Sequence, residues 1–156
     1  MSSDDIIAIE QLLWAYCHRV DRGSAAEVAA LFAADGVLIP KYDGDYECRG
    51  RAEVERWYAY YHEHFRASVQ HLKHMVSAPL IELDGARASG CCYLLATLVD
   101  ADGTSGSYAT GTYHDSYCKV DGRWLFASRT IEVEWAAPHT TVVARFPPLG
   151  FSPAGQ

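Results

Sequence analysis

The chain lacks the features that announce several large functional classes. It has no run of lysine and arginine, and its 13 basic residues are outnumbered by 20 acidic ones for a net charge of -7. Nucleic acid and anionic membrane are therefore poor partners. No apolar stretch reaches the roughly 18 residues that a membrane-spanning helix needs. The opening Met1-Ser2-Ser3-Asp4-Asp5 is acidic, with neither the basic region nor the cleavage site of a secretory signal, so a cytoplasmic location is expected. The five cysteines are odd in number and form no CxxC pair, which suits free thiols in a reducing compartment. Cys91 and Cys92 are adjacent in an apparent strand and point to opposite faces, so they do not share a metal. There is no phosphate loop, dinucleotide fingerprint or Ser-His-Asp order, which argues against nucleotide and acyl-enzyme chemistry. No cofactor and no metal are expected.

What is present is an ordinary globular composition, 49% hydrophobic and 21% charged over 156 residues, enough for one domain with a sizeable core. Ile6, Ile9, Leu13, Tyr16 and Val20 recur at helical spacing behind the capping residues Ser3-Asp4-Asp5, and Gly23 ends that helix near Arg22. A second helix is predicted from Ser24 to about Ala34, and Asp35-Gly36 marks a turn. Short strands follow at Val37-Leu38-Ile39 and near Glu47-Cys48. A third helix fits Gly50 to about Arg66. The period then changes to that of strands. His71 to Leu83 and Ala86 to Val99 flank the turn Asp84-Gly85, and Ser105 to Val120 and Arg123 to Trp135 flank Asp121-Gly122. Helices first and long antiparallel strands after them mean an α+β domain over residues 1–137: a cone-shaped curved sheet packed on three helices around an apolar pocket. Residues 138–156, rich in proline, read as an irregular tail packed on the domain or on a neighbouring subunit.

Asp21 is the most informative residue. It ends an apolar helix, where the macrodipole disfavours negative charge, and it shares a face with Trp14 and Cys17. An imidazole beside it in an apolar cavity could move protons near neutral pH. His18, His71 and His74 are the candidate partners. His71 and His74 lie three residues apart on a strand and face opposite ways, so they cannot both enter a cavity. Arg129 keeps step with Leu125, Ala127 and Ile131 and points inward, where its charge needs a partner: Asp21, or a carboxyl or carbonyl group of a substrate. Trp14, Trp57, Tyr58 and Tyr61 are plausible cavity wall.

Three strings carry a resemblance: Tyr16-Cys17-His18-Arg19-Val20-Asp21 followed by Ala30 to Val37, His74 to Gly85, and Val120 to Arg129. Their order resembles the SnoaL-like branch of the nuclear transport factor 2-like superfamily, and in particular its small cofactor-free lyases, among them scytalone dehydratase, bile acid 7α-dehydratase and hexachlorocyclohexane dehydrochlorinase. The resemblance implies that Asp21 and His74 form the catalytic pair and favours His74 over the other histidines. It also implies that Tyr16 and Arg129 assist. One departure is Ala78, where many relatives have asparagine. A second histidine of the scytalone dehydratase type has only His114 as a loose counterpart.

The function so implied is elimination of water or a related small group from a small hydrophobic cyclic substrate, polyketide-like, steroid-like or terpenoid-like. An isomerase or cyclase of the same fold is the nearest alternative, and a non-catalytic ligand-binding or interaction domain the next. Strands apolar on both faces, such as Cys91 to Ala96, suggest a homo-oligomer. Similar lyases favour a trimer over a dimer.

Overall fold

The computed structural model of the protein describes residues 3–139 and Phe151. Helix α1 runs Ser3–Arg22 and buries Ile9, Leu12, Leu13, Tyr16, Cys17 and Val20, a stripe at three- and four-residue spacing. It stops at Gly23 because a Cβ there would lie 2.9 Å from the Arg19 carbonyl oxygen, which instead accepts the Gly23 N–H. Helix α2, Ala25–Ala29, opens on a capping box in which Ser24 and Glu27 exchange side-chain and backbone hydrogen bonds. It is much shorter than the predicted helix to Ala34. Strand β1, Phe32–Pro40, starts where the helical spacing was still running, and the Phe126 N–H bonds the Leu31 carbonyl. The spacing of Val28, Leu31 and Phe32 fits a helix, but sheet pairing buries Phe32 completely and overrides local preference. Strand β2 is Cys48–Arg49, helix α3 is Arg51–His64, and a single 3₁₀ turn covers Arg66–Ser68.

Four long strands follow: β3 Val69–Asp84, β4 Arg87–Asp100, β5 Gly106–Val120 and β6 Arg123–His139. Both predicted hairpin turns are present, with Gly85 and Gly122 at positive φ. The sheet order is β2-β1-β6-β5-β4-β3. Every pairing is antiparallel except β1 beside β6, which is parallel and makes the sheet mixed. The sheet stays open, and its inner face meets the three helices. The expected tail falls on residues that lie, Phe151 apart, outside those described beyond His139.

The bends come at breaks in the ladder, where an extra residue turns a strand. β3 breaks between Gln70 and Lys73 and again between Ser77 and Leu80, with His71 and Ala78 at φ 54° and 50°. β5 and β6 slip between Thr110 and Gly111. A Cβ on Gly90 would sit 2.4 Å from the Leu80 carbonyl oxygen, and one on Gly111 only 1.9 Å from that of Glu132. Glycine at these two points lets a neighbouring carbonyl fold into the space. The outer face of β3 and β4 leaves Met75, Leu80, Tyr93 and Leu95 exposed. Among the described residues no helix is long and apolar enough to cross a membrane.

Candidate active site

Between the inner face of the sheet and helices α1 and α3 lies a cavity of about 660 Å³. Its walls are mainly apolar, from Val20, Leu72, Leu94, Ala96, Ile131 and Val133. Seven of the chain's ten tyrosines reach it: Tyr16, Tyr42, Tyr58, Tyr60, Tyr61, Tyr108 and Tyr113. Trp57 and Tyr61, one helical turn apart on α3, stack with ring centroids 5.4 Å apart, and the Trp57 indole N–H donates to the Tyr46 hydroxyl at 2.7 Å.

Asp21 and His74 meet on this wall. The Nδ1 of His74 lies 2.6 Å from Asp21 Oδ1, and the backbone N–H of His74 donates to Oδ2 at 2.9 Å. The two side chains are only 9% and 10% exposed. A carboxylate only accepts, so Nδ1 is the donor, which in a neutral imidazole leaves the lone pair on Nε2. His74 lines the cavity and Asp21 stands behind it. The local chain explains the meeting. Asp21 is on the flank of the last turn of α1, and Arg66 caps that end by donating to the carbonyls of Val20 and Gly23 at 3.1 and 2.7 Å. Opposite, the five residues 73–77 form a regular stretch of β3 between its two breaks, and this stretch turns His74 inward and Lys73 and Met75 outward.

The other histidines go elsewhere. His71 is exposed at the first break in β3. His18 receives the Arg22 guanidinium at 2.6 Å on the helix surface, so the competing pair on α1 does not form. His114 is on the outer face, 3.4 Å from Glu132. Trp14, expected in the wall, is 46% exposed on the flank of α1 and does not reach the cavity, whereas Trp57, Tyr58 and Tyr61 do. Trp14 does share an azimuth with Asp21. However, the centre of the buried stripe is marked by Ile9, Leu13 and Tyr16, and that azimuth lies well to one side of it.

Tyr16 and Arg129 occupy a deeper layer. The Tyr16 hydroxyl is hydrogen-bonded to that of Tyr58. Arg129 is fully buried and behind the wall, where its Nε and one terminal nitrogen grip Asp115 at 2.8 and 2.7 Å. Its partner is thus Asp115, neither Asp21 nor a group reached through the cavity. Burial alone would favour loss of the guanidinium proton, but the Asp115 carboxylate outweighs it and holds Arg129 firmly charged. Burial also pushes the phenols of Tyr16, Tyr58 and Tyr113 above their ordinary range.

Comparison with known families agrees with this fold. A family model described as SnoaL-like domain matches residues 1–130. The chain belongs to the SnoaL-like family. No curated protein matches it. Among solved structures, a protein of unknown function from Mycobacterium tuberculosis is 26% identical, with 83% of this chain and 72% of that one aligned at TM-score 0.70. A Novosphingobium aromaticivorans protein described as a candidate scytalone dehydratase is 21% identical over 96% and 95% of the two chains, at TM-score 0.72. A hexachlorocyclohexane dehydrochlorinase is 17% identical over 95% and 96%, at TM-score 0.74. At such identities the last two likenesses show the fold alone: the cystatin-like arrangement of sheet and helices.

In this SnoaL-like domain two residues at or behind the cavity wall escaped the sequence reading. Asp115 is one and Tyr113 the other. Both sit on β5 in step with buried Tyr117, and that two-residue alternation of large inward groups was the available signal.

Proposed function

We propose that this SnoaL-like protein is a cofactor-independent lyase that eliminates water, or a related small leaving group, from a small hydrophobic cyclic substrate. The observation that carries the reading is the hydrogen bond of 2.6 Å between His74 Nδ1 and Asp21, with the rest of the imidazole facing an apolar cavity. An imidazole fixed in this way presents a lone pair on Nε2 to a substrate carbon. The carbon is one next to a carbonyl. Its proton moves to Nε2, its bonding electrons pass into the carbonyl as an enolate, and the enolate expels a hydroxyl from the next carbon. The imidazolium returns the proton to that hydroxyl, so one water leaves and a conjugated double bond remains. Asp21 orients the ring and stabilises its charge. The Tyr16 hydroxyl, on the cavity wall, would donate to the enolate oxygen. The names of structurally similar proteins, a dehydratase and a dehydrochlorinase, support elimination.

The test is incubation with a panel of cyclic β-hydroxy ketones, followed by mass spectrometry of the products. Loss of one water, absent with His74→Ala, is the expected result. A product of unchanged mass but altered structure would mean isomerisation or cyclisation. A ligand bound tightly and returned intact would mean a binding protein.

A further inference from the structure

The Arg129–Asp115 pair is an odd foundation for a stability role. A buried ion pair is often no more stabilising than apolar side chains of the same volume. This one is buried completely, yet one terminal nitrogen, Nη1, finds no hydrogen-bond partner among the described residues. Three aromatic faces surround it instead. The guanidinium carbon lies 4.1 Å from the ring centroids of Tyr16 and Tyr113 and 4.2 Å from that of Phe126. Two of these rings are phenols that line the cavity. The carboxylate end of the pair points away from the cavity, accepting the hydroxyl of Tyr117 at 2.9 Å, and Tyr117 does not line it. The pair is therefore an oriented dipole with its positive end under the phenols that face the cavity.

We infer that Arg129 and Asp115 are positioning residues that strengthen Tyr16 and Tyr113 as hydrogen-bond donors to an oxygen that gains negative charge in the cavity. The inference rests on the reading of that cavity as a reaction site. A cation against the face of a phenol stabilises negative charge on the ring, and in a dry site that attraction is large. Asp115 holds the guanidinium charged and flat against both rings through its two-point grip. Burial raises both phenols, and the charge of Arg129 pulls each of them back. At Tyr117 the pull of Arg129 is opposed not only by burial but also by the Asp115 carboxylate. The Tyr16–Tyr58 hydrogen bond is compatible with this polarity: with Tyr58 as its donor, the Tyr16 O–H is left to donate into the cavity. Charge developing on an enolate oxygen is then shared by Tyr16, Tyr113 and, through their rings, by Arg129.

Two neutral replacements of the whole pair test this without leaving a lone buried charge. One is apolar, Arg129→Met with Asp115→Leu; the other is polar, Arg129→Gln with Asp115→Asn. The probe is 2-naphthol, whose neutral and ionised forms absorb differently and whose oxygen stands in for the enolate. In the wild type the bound naphthol ionises at lower pH than in either neutral pair, by about one pH unit, equivalent to a tenfold change in its ionisation constant. Turnover should fall at least about tenfold with KM unchanged, because the donors matter most once charge has developed. If the pair is only a structural element, a folded neutral pair leaves both the naphthol midpoint and kcat where they were, and that result overturns the inference. Failure of both neutral pairs to fold would assign the ion pair to folding and overturn it equally. A wild-type protein that takes up no naphthol would sink the cavity reading itself, and the inference with it.

Discussion

Two carboxylates, each hydrogen-bonded to a nitrogen side chain, flank one cavity, and the two pairs are built in opposite ways. Asp21 and His74 join the end of a helix to a strand 53 residues on, and one edge of the imidazole stays open to the cavity. Asp115 and Arg129 join two neighbouring strands in register, and aromatic rings close over them on the cavity side. The first pair can exchange a proton with something that enters; the second can act only through its field. An ion pair beside a pocket is therefore assigned by its open edge rather than by its charges. The contrast predicts that damage to the first pair shows in turnover and damage to the second shows first in stability.

The largest expected effect tests the open pair. His74→Ala and Asp21→Asn should each lower kcat by about 10²–10⁴-fold, the usual contribution of a placed base, while the melting temperature barely moves. Kinetics and thermal denaturation on the same samples check both halves. A variant that loses activity only because it melts would erase the distinction between the pairs.

The sealed pair should fail in the other sense. Arg129→Ala leaves the Asp115 carboxylate buried with, among the described residues, only the Tyr117 hydroxyl bonded to its side chain. Removing one partner of a buried pair costs about 3–5 kcal/mol. Urea unfolding should show a loss of that size, larger than for any single change at Asp21 or His74.

The two pairs also differed in how readable they were. Asp21 stood out because a carboxylate at a helix C-terminus is locally unfavourable, and the strand period separated His74 from His71. Those are short-range facts, and the family resemblance added the rest. Arg129 gave away its direction, since it kept step with Leu125 and Ile131, but not its partner. A cross-strand neighbour depends on register, and β5 and β6 slip between Ser116 and Tyr117, close to the Asp115↔Arg129 pairing. A slip of that kind changes which residues face each other and leaves little trace in the pattern. The long strands and their turns were legible from alternation and from Asp-Gly. The end of α2 was not, because Phe32 and Leu38 are claimed by a parallel pairing with a strand about ninety residues away. Trp14 shares an azimuth with Asp21 but stands outside the cavity, because that azimuth lies to one side of the buried stripe of α1.

A smaller effect examines the strand that presents His74. Ala78 holds φ 50° at the second break in β3, a conformation that costs a residue with a Cβ about 1 kcal/mol or more and that glycine adopts freely. Ala78→Gly should raise stability by roughly 0.5–1 kcal/mol without changing kcat, provided the break itself and not the strain sets the pose of His74. Denaturant midpoints and turnover decide it. A gain in stability with a fall in activity would mean that the strained alanine helps to hold the imidazole.

A last effect, felt only at acid pH, concerns a basic group with no carboxylate partner among the described residues. His62, on α3 beside Tyr58 and Tyr61, has an Nε2 without a hydrogen-bond partner among the described residues. Burial first, and then the charge of Arg66, push its pKa from 6.5 down to about 4. The folded protein therefore keeps His62 neutral while the unfolded chain takes up a proton below about 6.5. Above that pH His62 makes no difference to stability; as the pH falls from 6.5 towards 4, protonation of the unfolded chain drains stability away. His62→Gln should flatten this part of the pH profile, so its urea midpoint should fall less between pH 7 and pH 5 than that of the wild type. Equal slopes would mean that His62, already bonded to the Val20 backbone, finds a further partner or water when protonated, and that its surroundings are less dry than those of the sealed pair.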